Sequence, residues 1–91
     1  MRFEWDEDKN AFNLNKHGVS FDIIEMANWN FSFLLEMQWI DGEEREVHIL
    51  PVGQSLYVVV TTERIDKVRI ISLRLAETHE KKAWKAEFQH G

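Results

Sequence analysis

Tyr57-Val58-Val59-Val60-Thr61-Thr62 is the stretch on which the fold turns. It is β-branched through its core, and such side chains fit a pleated, half-buried surface. Ile65-Asp66 then turns the chain, and Lys67 to Leu73 returns as another strand. Upstream, Gly53-Gln54-Ser55 reads as a turn. Arg45 to Leu50 alternates, with Arg45, Val47 and Ile49 set against Glu46, His48 and Leu50. Pro51 has no amide to give to a ladder, so it implies an edge, a bulge or the strand's end. Asp41-Gly42 is a hairpin signal, and Phe31 to Trp39 is an apolar, β-rich run.

Helical patterns flank this run of strands. Arg2-Phe3-Glu4-Trp5 alternates as a short strand. Asp6 then reads as an N-cap, with Glu7 and Asp8 placed to suit the helix dipole. A helix follows from about Glu7 to His17, with Ala11 and Leu14 at i, i+3 as its apolar face. Gly18 supplies the left-handed residue that ends it. Ser20 offers a hydroxyl cap to a second helix, through Ala27 or Asn28, striped by Phe21, Ile24 and Ala27. Asn28-Trp29-Asn30 marks a turn. The tail from about Glu77 to Gln89 is a third helix. There Trp84 stacks on Phe88 and Glu77 pairs with Lys81, both at i, i+4. The order β-α-α-β-β-β-β-α predicts an α+β domain over residues 1–91, with a mainly antiparallel sheet and the helices packed on one side.

The 91 residues are 44% hydrophobic, with four Trp and six Phe, enough for one core. No run approaches the roughly 20 apolar residues of a membrane span. No N-terminal signal pattern is visible, so a cytoplasmic protein is expected. The absence of Cys excludes disulfides and thiolate zinc sites. His48, His79 and His90 are scattered, and no metal site is expected. The net charge of −5 speaks mildly against nucleic acid, but it is unevenly spread. Residues 1–44 hold ten acids and three bases, whereas 64–85 hold seven bases and three acids. The fold decides whether those bases form a face or are ordinary solvated charges.

Three blocks carry a resemblance. The first is Phe3-Glu4-Trp5-Asp6, Lys9, Asn13 and Lys16-His17-Gly18-Val19-Ser20-Phe21. The second is Gly42-Glu43-Glu44-Arg45. The third is Val58-Val59-Val60, Thr62-Glu63-Arg64, then Arg69-Ile70-Ile71-Ser72, Arg74 and Ala76. In this order the chain resembles the BrnT-type toxins of bacterial type II toxin–antitoxin systems. The resemblance implies a RelE-like fold and an endoribonuclease that cleaves RNA without metal or other cofactor to arrest translation. It also implies neutralisation by a ribbon-helix-helix, BrnA-like antitoxin, through which the pair meets its operator DNA. A catalytically weak toxin fold kept as antitoxin partner and co-repressor is the alternative. Departures from the family pattern are Thr61 in place of an aromatic, Leu73 and Leu75 in place of Ala and Arg, and Trp84 in place of a tyrosine.

Metal-free cleavage needs a base for the 2′-hydroxyl, an acid for the leaving oxygen and positive charge on the phosphate. Glu63 is the candidate base, with Arg64 and Arg74 as catalytic partners. Lys16 and His17 could bind phosphate or serve as the acid, and Arg69 and Ser72 are further candidates for phosphate binding, since guanidinium forks match phosphate oxygens. Each has a plainer reading. Glu63-Arg64 could be a turn-side ion pair, Lys16-His17 a dipole complement, and Arg69 a structural partner of Glu63 or Glu46. Strict alternation sets Ser72 and Arg74 on one face and Arg69 on the other, with Ile71 and Leu73, unless a bulge re-aims them. Trp29, Phe31 and Phe33 are core residues or, where exposed, an antitoxin patch.

Overall fold

The computed structural model describes residues 2–89. In chain order it contains β1 (Phe3–Glu4), α1 (Glu7–His17), 3₁₀ helices at Phe21–Met26 and Trp29–Phe31, and β2 (Phe33–Ile40). Then follow β3 (Glu43–Val52), β4 (Ser55–Arg64), β5 (Lys67–Leu75) and α2 (Thr78–Phe88). The strands form one sheet in the order β1-β5-β4-β3-β2. β1 runs parallel to β5, and the other pairings are antiparallel. The α+β class with a mainly antiparallel sheet is thus as the sequence implied. Asp41 and Gly42, at φ 53° and 73°, make the two-residue turn between β2 and β3.

The helices do not lie on one side of the sheet. The first 3₁₀ helix buries Phe21 and Ile24 against Leu50, Val59, Ile70 and Leu73. α2 lays Trp84 on the other face, against Val47, Ile49 and Val58. The reason is in β3 and β4: Ile49-Leu50 and Val58-Val59-Val60 are apolar in consecutive positions, so both sheet faces need cover.

The second helix is 3₁₀, not α. Phe21, Ile24 and Ala27 recur every three residues, the repeat that a three-per-turn helix aligns on one side. Ser20 makes no cap bond to it. Instead Asn10 Oδ1 accepts the Phe21 amide at 2.8 Å and faces the Ser20 hydroxyl at 3.4 Å. Phe31 closes the next 3₁₀ turn, so β2 begins later than the apolar run suggested. In α2, Trp84 and Phe88 stack with ring centroids 5.1 Å apart. Glu77 meets His79 at 3.7 Å rather than Lys81.

α1 has the expected ends. Asp6 accepts the Asp8 amide at 2.8 Å, and Gly18, at φ 71°, gives its amide to Leu14 O. Its docking face is unexpected. Leu14 is 51% exposed and Asn13 is 4% exposed. β1 spans only two residues, so the edge of β5 beyond it needs other partners. The Asn13 amide supplies them. Its Nδ2 donates to Leu73 O at 2.7 Å and Val19 O at 2.9 Å, and its Oδ1 accepts the Leu73 amide at 3.2 Å. One side chain thereby satisfies both backbone groups of Leu73 on the strand edge.

Candidate functional site

The chemistry of the sheet turns on a bulge in β5. Val60 pairs with Ser72 but Thr61 pairs with Ile70, which leaves Ile71 as an extra residue. The bulge reverses the alternation, so that Ile70 and Leu73 both reach the core beneath the first 3₁₀ helix. Ser72 and Arg74, beyond the bulge, are thereby turned to the same face as Arg69 and Lys67 before it. Thr62 and Arg64 pair directly with Arg69 and Lys67 and share that face. Arg45 follows Val47 and Ile49 onto it. Strict alternation would have separated Arg69 from Arg74; the bulge reunites them.

Each of these arginines has a carboxylate beside it. Arg69 binds Glu4 through Nε at 2.9 Å and Nη2 at 2.8 Å, and Lys67 reaches the same carboxylate at 3.6 Å. Its partner is therefore neither Glu63 nor Glu46, because the parallel register sets Glu4 directly opposite Arg69. Arg64 meets Glu43 at 2.7 Å and Arg45 meets it at 3.2 Å. Desolvation raises the Glu43 pKa, but the bonds and charges of Arg45 and Arg64 outweigh it, so the carboxyl lies below its usual range. Arg74 forks onto Glu80 with two 2.8 Å bonds. Glu80 also accepts the Glu77 amide at 2.8 Å, which ties β5 to the start of α2. The Arg74 bonds, working against desolvation, hold the Glu80 carboxyl down at about 2. Arg74 is raised, chiefly by the same bonds.

Glu63 and Arg64 point to opposite faces, as β4 runs through both. Glu63 makes no ion pair among the described residues. The two meet again at the strand tip, lining one cleft with Glu43, Glu44 and Glu46 and another with Lys67. Lys16 and His17 stand apart from the arginines. With Asp8, Lys9, Phe12, Asn13, Ile71 and Ser72 they line a cleft of about 350 Å³ between α1 and the bulge, so one carboxylate stands among its cations. Phe12 is 66% exposed there, and Lys16 Nζ lies 5.8 Å from its ring centroid.

On the sheet's other face His48 bonds Ser32 Oγ at 2.9 Å and Glu46 at 3.0 Å, tying the start of β2 to β3. His90 lies outside the described residues. Among those described, no three His, Asp or Glu side chains converge as metal ligands. No helix is long and apolar enough to cross a membrane.

Sequence reasoning gave no role to Phe12, Arg45, Glu4 or Glu80. Arg45 was within reach, because it alternates with Val47 and Ile49. Glu4 and Glu80 find their arginines through strand order and helix placement, which no local pattern encodes.

The domain thus ranks four arginines on one sheet face, each beside a carboxylate, and sets Lys9, Lys16 and His17 with Asp8 around a cleft at the β5 edge. The chain belongs to the BrnT family, described as the ribonuclease toxin, BrnT, of type II toxin–antitoxin systems, whose model matches residues 5–80. That membership makes it a ribonuclease toxin with an antitoxin partner. No curated protein matches the chain.

Proposed function

We propose that the protein is a metal-independent endoribonuclease of RelE-like fold that acts in the cytoplasm to inhibit translation and is held in check by a ribbon-helix-helix antitoxin. The bulge at Ile71 carries this reading, since it puts Arg64, Arg69, Ser72 and Arg74 on one face. Guanidinium groups there neutralise the phosphate as its fifth bond forms. Glu63, without an ion pair and sharing a cleft with Arg64, takes the 2′-hydroxyl proton. Lys16 and His17 hold the neighbouring phosphate beside Ser72, and one of them gives a proton to the 5′-oxygen as its bond to phosphorus breaks.

Purified protein free of antitoxin should cleave RNA equally well in EDTA. Arg64→Ala and Arg69→Ala should each slow cleavage by about tenfold or more without large loss of thermal stability. Full activity in both variants removes the arginine face from the reaction. Glu63→Gln should slow cleavage while sparing RNA binding.

Phe12 extends the site. A base stacked on its exposed ring keeps its phosphate within reach of Lys9, Lys16 and His17. Phe12→Ala should weaken binding of single-stranded RNA about fivefold or more, whereas Phe12→Trp should preserve it, as read by fluorescence anisotropy.

One observation favours a second reading, a binding module with little activity. Arg45, Arg64, Arg69 and Arg74 are all already engaged by carboxylates, which lowers the charge left for phosphate. Growth after induced expression separates the two, because a module without activity leaves growth untouched.

A further inference from the structure

β2 is the last strand of the sheet, so one edge of its eight residues faces no neighbour within the described chain. Sheet edges are commonly blunted by lysine, by proline or by shortness, which discourages pairing with another chain. Phe33-Leu34-Leu35-Glu36-Met37-Gln38-Trp39-Ile40 has neither residue and is not short; its one irregularity is a bulge at Leu35, beyond which Glu36 to Ile40 pair with β3 in unbroken register. Leu34, Leu35, Met37, Trp39 and Ile40 all remain exposed, Trp39 at 72%. Trp29 and Phe33 do not form this patch, whereas Phe31, just before β2, is itself 45% exposed. Trp29 stacks on Phe3, Phe31 meets Phe88 edge-on, and Phe33 packs into the core under α2.

The surroundings are acidic. Glu36, Asp41 and Glu44 lie on β2, its turn and the facing end of β3, and none of the three makes an ion pair among the described residues. A second copy pairing edge to edge would bring these carboxylates against their own kind. A chain bearing lysine or arginine between apolar residues would meet both features at once.

From this juxtaposition we infer that the β2 edge takes up an extended, basic and apolar segment of the antitoxin as a sixth strand. The inference rests on the antitoxin partner that the family implies. Main-chain hydrogen bonds to the open edge supply affinity. Alternate side chains of the segment cover Leu34, Met37 and Trp39, and its cations answer Glu36, Asp41 and Glu44.

The test pairs the full chain with the protein encoded by the adjoining reading frame, by titration calorimetry. Met37→Lys and Trp39→Lys place a like charge against the incoming cations on exposed positions. Each should weaken binding about thirtyfold or more while leaving RNA cleavage and thermal melting unchanged. Wild-type affinity should fall as salt rises. Hydrogen exchange should show the β2 amides that point away from β3, open in the free chain, protected in the complex. Unchanged affinity in both variants, or no added protection of β2, overturns the surface and leaves the partner standing. A wild-type dimer dissolved by Trp39→Lys assigns the edge to a second copy and also overturns it. No binding by the wild-type chain refutes the partner itself, and the inference with it.

Discussion

Asn13→Asp should destabilise the protein by about 4 kcal/mol, with the melting temperature falling about 15 °C or more in a thermal scan. The aspartate has nearly the same shape but no amide to donate. Leu73 O and Val19 O lose their donor at a position only 4% exposed, and a negative charge arrives beside both carbonyls. Each orphaned buried group costs about 1–3 kcal/mol, a large share of the roughly 5–15 kcal/mol that holds a domain of this size. Asn13→Ala should cost a similar amount, because it also strands the Leu73 amide. The loss reaches function as well. Leu73 lies two residues beyond the bulge at Ile71, between Ser72 and Arg74, so a loosened β5 edge disperses the arginine face. RNA cleavage should therefore fall in Asn13→Asp below the melting transition, not only above it. An unchanged melting temperature would show that the β5 edge finds its partners elsewhere.

Asn13 also shows where sequence reading reached and where it stopped. Turn chemistry was legible: Asp41-Gly42, Gly18 and Asp6 each act as their residue types dictate, because their bonds are local. The strand order was not, and errors followed from it. Ala11 and Leu14 looked like the buried face of α1, since apolar spacing is the usual signal. The helix instead turns Asn10 and Asn13 inward, because a strand edge left open by the two-residue β1 demands hydrogen bonds more than apolar cover. Likewise, the three consecutive valines of β4 called for cover on both sheet faces, but which helix takes which face depends on strand order and chain path, which no local pattern encodes. The candidate site was legible by residue type and not by geometry. Period 2 divides Arg69 from Arg74, and the extra residue that reunites them, Ile71, resembles any other strand residue. Glu63 and Arg64 are neighbours in sequence but point to opposite faces and share a cleft only at the tip of β4, whereas Arg69 and Arg74 line neither cleft there.

Arg74 and Glu80 make the other large prediction, one that separates holding the fold from holding RNA. Glu80 is 5% exposed, and its carboxyl is held at about 2 against a usual 4.5. A carboxylate depressed on folding stabilises the native state above its unfolded pKa. That contribution fades as pH falls from about 4.5 and is gone below about 2. The drop corresponds to about 3 kcal/mol, an upper figure because the Arg74 side chain is 33% exposed and partly screened. Acid unfolding followed by circular dichroism should therefore begin at higher pH in Glu80→Gln, and neutral-pH stability should fall by about 2–3 kcal/mol. RNA binding should move the other way. Freed from its carboxylate, Arg74 offers its fork to phosphate, so Glu80→Gln should bind RNA at least as tightly as the wild type at a temperature where both are folded. Arg74→Ala should lose stability and RNA affinity together, since it removes the cation. If Glu80→Gln and Arg74→Ala weaken RNA binding alike, the pair serves only to clamp α2 onto β5. The phosphate contacts then fall to Arg64 and Arg69.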